Sequence, residues 1–299
     1  MIFGIDVSAA QGAIDWARVV TEPCVSTHPR AQLTDLRPMF AICKATEAQG
    51  YTDPTFARNA ERARALGLVV SAYHFLWGHR DPAQQAEIFA RVAADAVAAC
   101  PVLDFEGVFD AKTGGFADIA AVGSAAVLRC ARLFGEATER LWGRPLVVYT
   151  GPGWMSQMPA GEDLEWLAAR ALWEAHYTDG EPMPVHGWGG RWAAHQFDGG
   201  KRSRLSTGQP IDANVAHDLA WLDPSARDTS PGLAWSPTEP PPALQLVPEE
   251  QATVQGVLDM VAGPPPAPSV TQPGTPTAIR RSSSSTLRAV RPDGEEPAS

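Results

Sequence analysis

Short apolar runs alternate with amphipathic segments along the first 223 residues of the chain. Eight runs are rich in Val, Ile, Phe and Tyr and mostly continuous in hydrophobicity, which is typical of parallel strands buried on both faces. Three segments, residues 55–66, 82–99 and 119–142, space apolar side chains three and four apart and predict helices. The strand runs are Phe3–Val7, Phe40–Lys44, Val69–Phe75, Val102–Phe105, Leu146–Tyr149, Leu172–His176, Trp192–Phe197 and Ile211–Val215.

This alternation predicts an α/β fold, an irregular (β/α) TIM-like barrel. The stretches that follow the fifth strand are too short for full crossover helices, so the second half of the barrel is expected to be irregular.

The composition changes near Asp223. Residues 224–299 contain 15 of the 27 prolines, together with the serine run 282–285. Such a segment cannot bury enough apolar surface to offset the entropy of ordering it. We therefore expect a folded domain at 1–223 and a largely disordered tail at 224–299, with a short helix possible at 249–262, where apolar residues recur at helical spacing.

Charge and cysteine usage exclude several classes of protein. A net charge of −10 argues against a nucleic-acid partner, because such binding requires Lys and Arg to neutralise phosphates. No apolar run approaches the ~20 residues of a spanning helix, so membrane insertion is not expected. The four cysteines form no Cys-x-x-Cys pair and no His cluster has ligand spacing, so we expect four reduced, mostly buried thiols and no metal site.

Acidic side chains gather where the predicted strands end. In a barrel of this type, catalytic groups lie at that face, whereas like charges brought together disfavour one another's ionisation. A purely structural barrel therefore has little reason to collect them. The carboxylates are Asp6, Glu47, Asp104 with Glu106, Asp198 and Asp212, and the neutral or basic residues at the same ends include Lys44 and Gln196.

The segment Val102-Leu103-Asp104-Phe105-Glu106 carries the sharpest chemical signal. Side chains alternate along a strand, so both carboxylates point to one face, about 6.6 Å apart along the chain. Such a pair can hold different protonation states, which glycoside hydrolysis requires: an acid for the leaving oxygen and an anion beside the sugar. An isolated Asp-x-Glu is also common at solvated strand ends, and only its place in a barrel favours catalysis.

Eight residues are candidate substrate ligands: Lys44, Glu47, Tyr73, Trp77, Tyr149, Trp173, Gln196 and Asp198. Tyr73, Trp77, Tyr149 and Trp173 are placed to stack on the apolar faces of sugar rings, or to pack in the core. Lys44 is either an ion-pair partner for the acids or a ligand for a sugar or peptide carboxylate.

The chain resembles the glycoside hydrolase family 25 lysozymes of the Chalaropsis type, in ordered motifs over about 215 residues. These motifs include Gly4-Ile5-Asp6-Val7-Ser8, Lys44-Ala45-Thr46-Glu47, Tyr51-Thr52-Asp53-Pro54, Ala72-Tyr73-His74-Phe75, Val102-Leu103-Asp104-Phe105-Glu106, Tyr149-Thr150-Gly151, Ala175-His176-Tyr177, Gln196-Phe197 and Asp212-Ala213-Asn214. The sequence departs from the family at Ala48, where glycine is expected, and at His195, where tryptophan is usual.

The resemblance implies a 1,4-β-N-acetylmuramidase that acts on peptidoglycan glycan strands as a monomer, without metal or cofactor. It places the proton donor on Glu106, its partner on Asp104, and flanking acids on Asp6 and Asp212. Asp198 is a rival for the last position because it directly follows Gln196-Phe197. The resemblance also suggests retention of configuration, with either the substrate's acetamido oxygen or an enzyme carboxylate as nucleophile.

Two other functions compete with this one. A catalytically silent peptidoglycan-binding barrel would be expected to lose Glu106 or Asp104, and both are present. A chitin-directed glycosidase would be expected to carry a longer acidic string than the one that ends at Glu106. No signal peptide is visible at the N-terminus, so we expect synthesis in the cytoplasm and action on the wall after release or non-Sec export, as for a phage endolysin or an effector.

Overall fold

The structure is a computed structural model, and it describes residues 1–223. Twelve strands occur in this part of the chain: β1 Ile2–Val7, β2 Val25–Ser26, β3 Pro38–Glu47, β4 Tyr51–Thr52, β5 Val69–Phe75, β6 Val102–Asp104, β7 Phe109–Asp110, β8 Gly115–Phe116, β9 Val147–Thr150, β10 Ala171–Ala175, β11 Ala194–Arg204 and β12 Pro210–Ala216. Each of the eight predicted strand runs overlaps a different one of these strands, and β11 extends well beyond the predicted end at Phe197, to Arg204. The predicted tail and its possible helix at 249–262 lie outside the described residues.

Seven α-helices connect the strands in the same part of the chain: α1 Trp16–Thr21, α2 Phe56–Ala65, α3 Pro82–Ala93, α4 Ala117–Val122, α5 Ser124–Trp142, α6 Pro152–Met155 and α7 Glu162–Ala168. The predicted helices at 55–66 and 82–99 correspond to α2 and α3, and α3 ends earlier than expected. The single helix predicted at 119–142 is wrong, because Gly123, at φ 80°, divides it into the end of α4 and the whole of α5. After β9 the helices shorten to four and seven residues, and β10 reaches β11 without one. The expected irregularity of the second half is therefore confirmed.

Eight strands close into a barrel in the order β1-β12-β11-β10-β9-β6-β5-β3, and β3 pairs with β1 to complete it. Seven of them are parallel, but β12 is antiparallel to both β1 and β11. The expectation that Asp212 ends the last strand is therefore wrong, because it lies near the start of β12. The reversal nevertheless brings it to the mouth, where it pairs in register with Asp6 at the end of β1.

Alternate residues of each strand face two separate apolar layers. Those that face outward, such as Ile5, Leu103 and Val148, form one apolar cluster with buried side chains of helices α2, α3 and α5. Those that face inward, such as Ile42 and Val147, fill the lower half of the barrel together with Trp221. This double burial explains why the strands are hydrophobic without interruption.

The inner packing also explains a glycine near the N-terminus. A Cβ on Gly4 would come within 2.2 Å of the Phe40 ring, which crosses the barrel interior and contacts Trp221 edge-on at 5.5 Å between centroids. These rings close the bottom of the barrel, so the remaining space lies at the mouth.

All four cysteines are unpaired and buried, as expected. Within residues 1–223 no helix is both long and apolar enough to cross a membrane.

Candidate active site

The mouth of the barrel holds a cavity of about 170 Å³ that is lined mainly by polar and aromatic side chains. Each of seven barrel strands contributes an inward-facing residue near its mouth end, and two further residues follow strand ends. The residues that line it are Asp6, Tyr73, Asp104, Glu106, Tyr149, Trp173, Tyr177, Gln196 and Asp212. The structure thus brings together the four predicted catalytic acids and four of the predicted substrate ligands.

Asp6 is fixed at the centre of a hydrogen-bond network. Its Oδ2 accepts from Gln196 Nε2 at 2.9 Å and from Asn214 Nδ2 at 2.8 Å. Burial raises the pKa of Asp6 to about 6, and the two amide donors oppose that shift by favouring the anion. The network therefore holds a carboxylate that titrates close to neutrality in one defined position.

Aromatic side chains set the orientation of both amides. The hydroxyls of Tyr149 and Tyr177 each donate to Gln196 Oε1 at 2.8 Å, so its amide nitrogen turns towards Asp6. Trp173 Nε1 donates to the Asn214 side-chain oxygen at 2.8 Å with the same consequence. Tyr149 and Trp173 were predicted either to stack on sugar rings or to pack in the core. Both side chains are buried, and both also border the cavity.

Asp104 ends β6 with its side chain buried, and its Oδ1 has no hydrogen-bond partner among residues 1–223. Burial, with the nearby charge of Glu106, raises the pKa of Asp104 well above its ordinary value, although Lys44 opposes the shift. A buried carboxylate oxygen without a partner is costly, and a substrate N–H that enters the cavity would satisfy it.

Glu106 lies two residues beyond the end of β6, exposed at the rim of the cavity. The protein around its carboxyl displaces water and, together with the charge of Asp6, raises the pKa of Glu106 above its ordinary value. The carboxyl therefore combines access for a substrate with a tendency to stay protonated, which suits a general acid.

Asp212 and Asp198 have different environments. Burial and the charges of Asp6, Asp198 and Glu106 raise the pKa of Asp212 to about 8. Asp198 is buried outside the residues that line the cavity, and its two carboxylate oxygens accept from the backbone N–H groups of Lys201 and Arg202 at 3.1 and 2.8 Å. Asp212 thus faces the other acids, whereas Asp198 holds a turn in β11.

Lys44, Glu47 and Trp77 form a chain of contacts separate from the residues that line the cavity. Lys44 Nζ lies 2.6 Å from Glu47 Oε2, and Trp77 Nε1 donates to Glu47 Oε1 at 3.2 Å. The structure therefore supports the ion-pair reading of Lys44. The positive charge of Lys44 also opposes the rise in the pKa of Asp104 and of Glu106, because it favours their anionic forms.

Tyr177 borders the cavity but was not among the predicted site residues. It lies two residues after β10 ends, in the Ala175-His176-Tyr177 motif, and its hydroxyl reaches Gln196. The Ala175-His176-Tyr177 motif was the signal in the sequence that could have identified Tyr177 as a site residue. No group of three or more His, Cys, Asp or Glu side chains within residues 1–223 is arranged to hold a metal ion.

The family profile of the glycosyl hydrolases family 25 matches residues 5–203, a span that contains three of the four acids and most of the barrel. The chain belongs to this family. It is therefore a glycoside hydrolase. Among curated relatives, the uncharacterized Escherichia coli K12 protein YegX is 29% identical over 216 residues, which cover 72% of this chain and 69% of YegX.

Solved structures share the fold. A bacterial lysozyme from Streptomyces coelicolor aligns with a TM-score of 0.57 at 23% identity, over 75% of this chain and 98% of the other. A muramidase from Acremonium alcalophilum aligns with a TM-score of 0.56 at 23% identity, over 73% and 94%. The spore cortex lytic enzyme SleM from Clostridium perfringens gives a TM-score of 0.56 at 22% identity, over 72% and 67%. At these identities the likeness establishes the architecture alone.

Proposed function

We propose that the glycosyl hydrolase family 25 domain is a lysozyme, a 1,4-β-N-acetylmuramidase. It hydrolyses the bond from N-acetylmuramic acid to N-acetylglucosamine in peptidoglycan, with Glu106 as acid and Asp104 as its partner. The observation that carries this proposal is the pair itself: an accessible carboxyl with a raised pKa beside a buried carboxylate with an unsatisfied oxygen. Two structural neighbours, the lysozyme from Streptomyces coelicolor and the muramidase from Acremonium alcalophilum, support the choice of substrate.

Glu106 protonates the glycosidic oxygen as the bond to the anomeric carbon breaks. Positive charge then develops at that carbon and on the ring oxygen, close to Asp6, Asp104 and Asp212. This positive charge favours the anionic forms of the three acids, and their negative charges stabilise it in a partly buried site, where such interactions are stronger than in solution. The carboxylate left on Glu106 later takes a proton from the water that completes hydrolysis.

Asp104 acts through the acetamido group of the muramic acid. Its free Oδ1 accepts the acetamido N–H, which favours the anion of Asp104 and leaves the shared proton on Glu106. The acetamido oxygen so oriented attacks the anomeric carbon and forms an oxazolinium ion as the leaving oxygen departs. Water then opens this ring at the same carbon, and the configuration is retained after two inversions.

Mass spectrometry of purified peptidoglycan digested by the protein tests the bond that is cut. We expect fragments with N-acetylmuramic acid at the reducing end, and none of them with Glu106→Gln. Reducing N-acetylglucosamine would indicate a glucosaminidase, 1,6-anhydro ends a lytic transglycosylase, and freed stem peptides an amidase. Each of these results would overturn the proposal.

A further inference from the structure

A second groove, of about 450 Å³, adjoins the catalytic cavity. The two share Glu106 and Tyr177, but the remaining lining differs in kind: the cavity is acidic, whereas the groove is bordered by Phe109, Phe116 and Trp154. The proposed mechanism leaves these three aromatic rings without a role.

The rings form a continuous aromatic wall. Phe116 contacts Trp154 at 4.7 Å between ring centroids, and Phe109 contacts Phe116 edge-on at 5.7 Å. Trp154 is buried, while 61% of Phe109 is exposed. A large aromatic side chain held open to solvent at the end of such a row is available to a ligand rather than to the core.

The short hairpin of β7 and β8, which carries Phe109 and Phe116, is held firmly at its base. The Asp118 carboxylate accepts the Val108 N–H at 2.8 Å and also pairs with His79. Gly107 has φ +77°, and a Cβ there would lie 2.5 Å from the Trp154 ring. The hairpin therefore leaves the strand directly after Glu106 and packs closely against Trp154, which fixes the position of its aromatic rings.

We infer that this aromatic groove binds the leaving side of the glycan, the N-acetylglucosamine released with the departing oxygen, and that Phe109 stacks on its apolar face. The inference rests on the proposed function. A general acid must stand between the sugar that reacts and the group that leaves. The acidic cavity suits the sugar that becomes positive, so the groove on the other side of Glu106 receives the neutral leaving sugar.

The test compares two substrates in Phe109→Ala, Phe109→Tyr and a control, Leu141→Ala, which removes an exposed apolar side chain from α5. The first substrate, soluble uncrosslinked glycan strands, is expected to place a sugar in the aromatic groove. The fluoride of the N-acetylglucosaminyl-N-acetylmuramyl disaccharide does not, because its leaving group is one atom. For Phe109→Ala we expect KM for strands to rise about 5-fold with little change in kcat, and unchanged kinetics on the fluoride. Phe109→Tyr should restore KM, and the control should match the wild type.

An unchanged KM for strands in Phe109→Ala would overturn the subsite, and an equal loss on both substrates would overturn its assignment to the leaving side. Calorimetric binding of strands to Glu106→Gln, with and without Phe109→Ala, tests the same contact without turnover, and we expect a weaker Kd in the double variant. Failure of the wild type to cleave the strands would overturn the proposed function instead, while the binding comparison still decides whether Phe109 contacts glycan.

Discussion

The acids at the barrel mouth and the acids on the helical exterior are held in opposite ways. On the exterior, arginines neutralise them: Arg132 lies within 3.1 Å of oxygens of Glu136, Glu162 and Asp163, and Arg170 lies 2.8 Å from Glu139. At the mouth, the carboxylates face one another: the charge of Asp6 raises the pKa of Asp104, Glu106 and Asp212, and the charge of Glu106 raises the pKa of Asp104 and Asp212. The acids that face one another are Asp6, Asp104, Glu106 and Asp212.

The difference shows that the acids at the mouth lower the stability of the folded state when they ionise. A carboxyl whose folded pKa is raised binds a proton in the folded state that the unfolded state has lost. The free energy of unfolding therefore falls as the pH rises from about 4 to about 8, the range spanned by the ordinary value and the pKa of Asp212.

The largest effect should come from the proton donor. Glu106→Gln keeps the shape but removes the transferable proton, which contributes roughly 10²–10⁴-fold to turnover. We expect wall-lytic activity to fall by at least ~10²-fold with the melting temperature maintained, because no charge is lost that the fold uses. Turbidity clearing and thermal melts measure both. Glu87→Gln, an exposed acid on α3, is the matched control, and near-normal clearing by the Glu106 variant would exclude the mechanism.

Asp212→Asn separates catalysis from stability at the mouth. We expect kcat at pH 8, where about half of Asp212 is ionised in the folded state, to fall by ~10-fold or more, because its negative charge beside the developing cation is lost. At pH 8 the melting temperature should rise by about 2–4 °C, the effect of roughly 1 kcal/mol, and the gain should vanish below about pH 3, where Asp212 is protonated in both the folded and the unfolded state. A lower melting temperature at pH 8 would mean that Asp212 stabilises the strand instead.

Asp198→Asn should lower the melting temperature and leave kcat nearly unchanged, the reverse of Asp212→Asn. The amide keeps one acceptor oxygen, so one of the N–H groups of Lys201 and Arg202 loses its partner, at a cost of about 2 kcal/mol, or roughly 4–8 °C. We expect kcat to change by only a few-fold, with the main kinetic effect on KM. If kcat falls further here than in Asp212→Asn, Asp198 is the fourth catalytic acid.

The sequence allowed the barrel strands and their acidic ends to be predicted, because burial on both faces leaves an uninterrupted apolar signal. The direction of β12 was not predicted, since such a run reads alike both ways. The predicted connection, residues 198–210, is long enough for a crossover to a parallel strand. The structure instead extends β11 to Arg204, which pairs with Pro210, so residues 205–209 join β11 and β12 as a hairpin.

The amide network around Asp6 was beyond sequence reasoning. Gln196 and Asn214 are separated from Asp6 by 190 and 208 positions, and no local pattern shows that their side chains converge on one oxygen. One local departure did have a structural consequence. Ala48, where the family has glycine, adopts φ 47°, a left-handed conformation that glycine occupies at lower cost.

The smallest effect tests the exterior side of the comparison. Glu139 binds Arg170 through two hydrogen bonds, at 3.1 and 2.8 Å, and also accepts the Leu146 N–H at 2.9 Å. Glu139→Gln retains one acceptor and removes the charge, so we expect a loss of about 1 kcal/mol, or roughly 2–4 °C in melting temperature, with unchanged turnover. The same carboxyl-to-amide change thus lowers stability here and raises it at Asp212. The decisive measurement is the sign of the two shifts at pH 8: if both variants melt higher, the exterior arginines do not stabilise the acids they contact, and the contrast between the two regions fails.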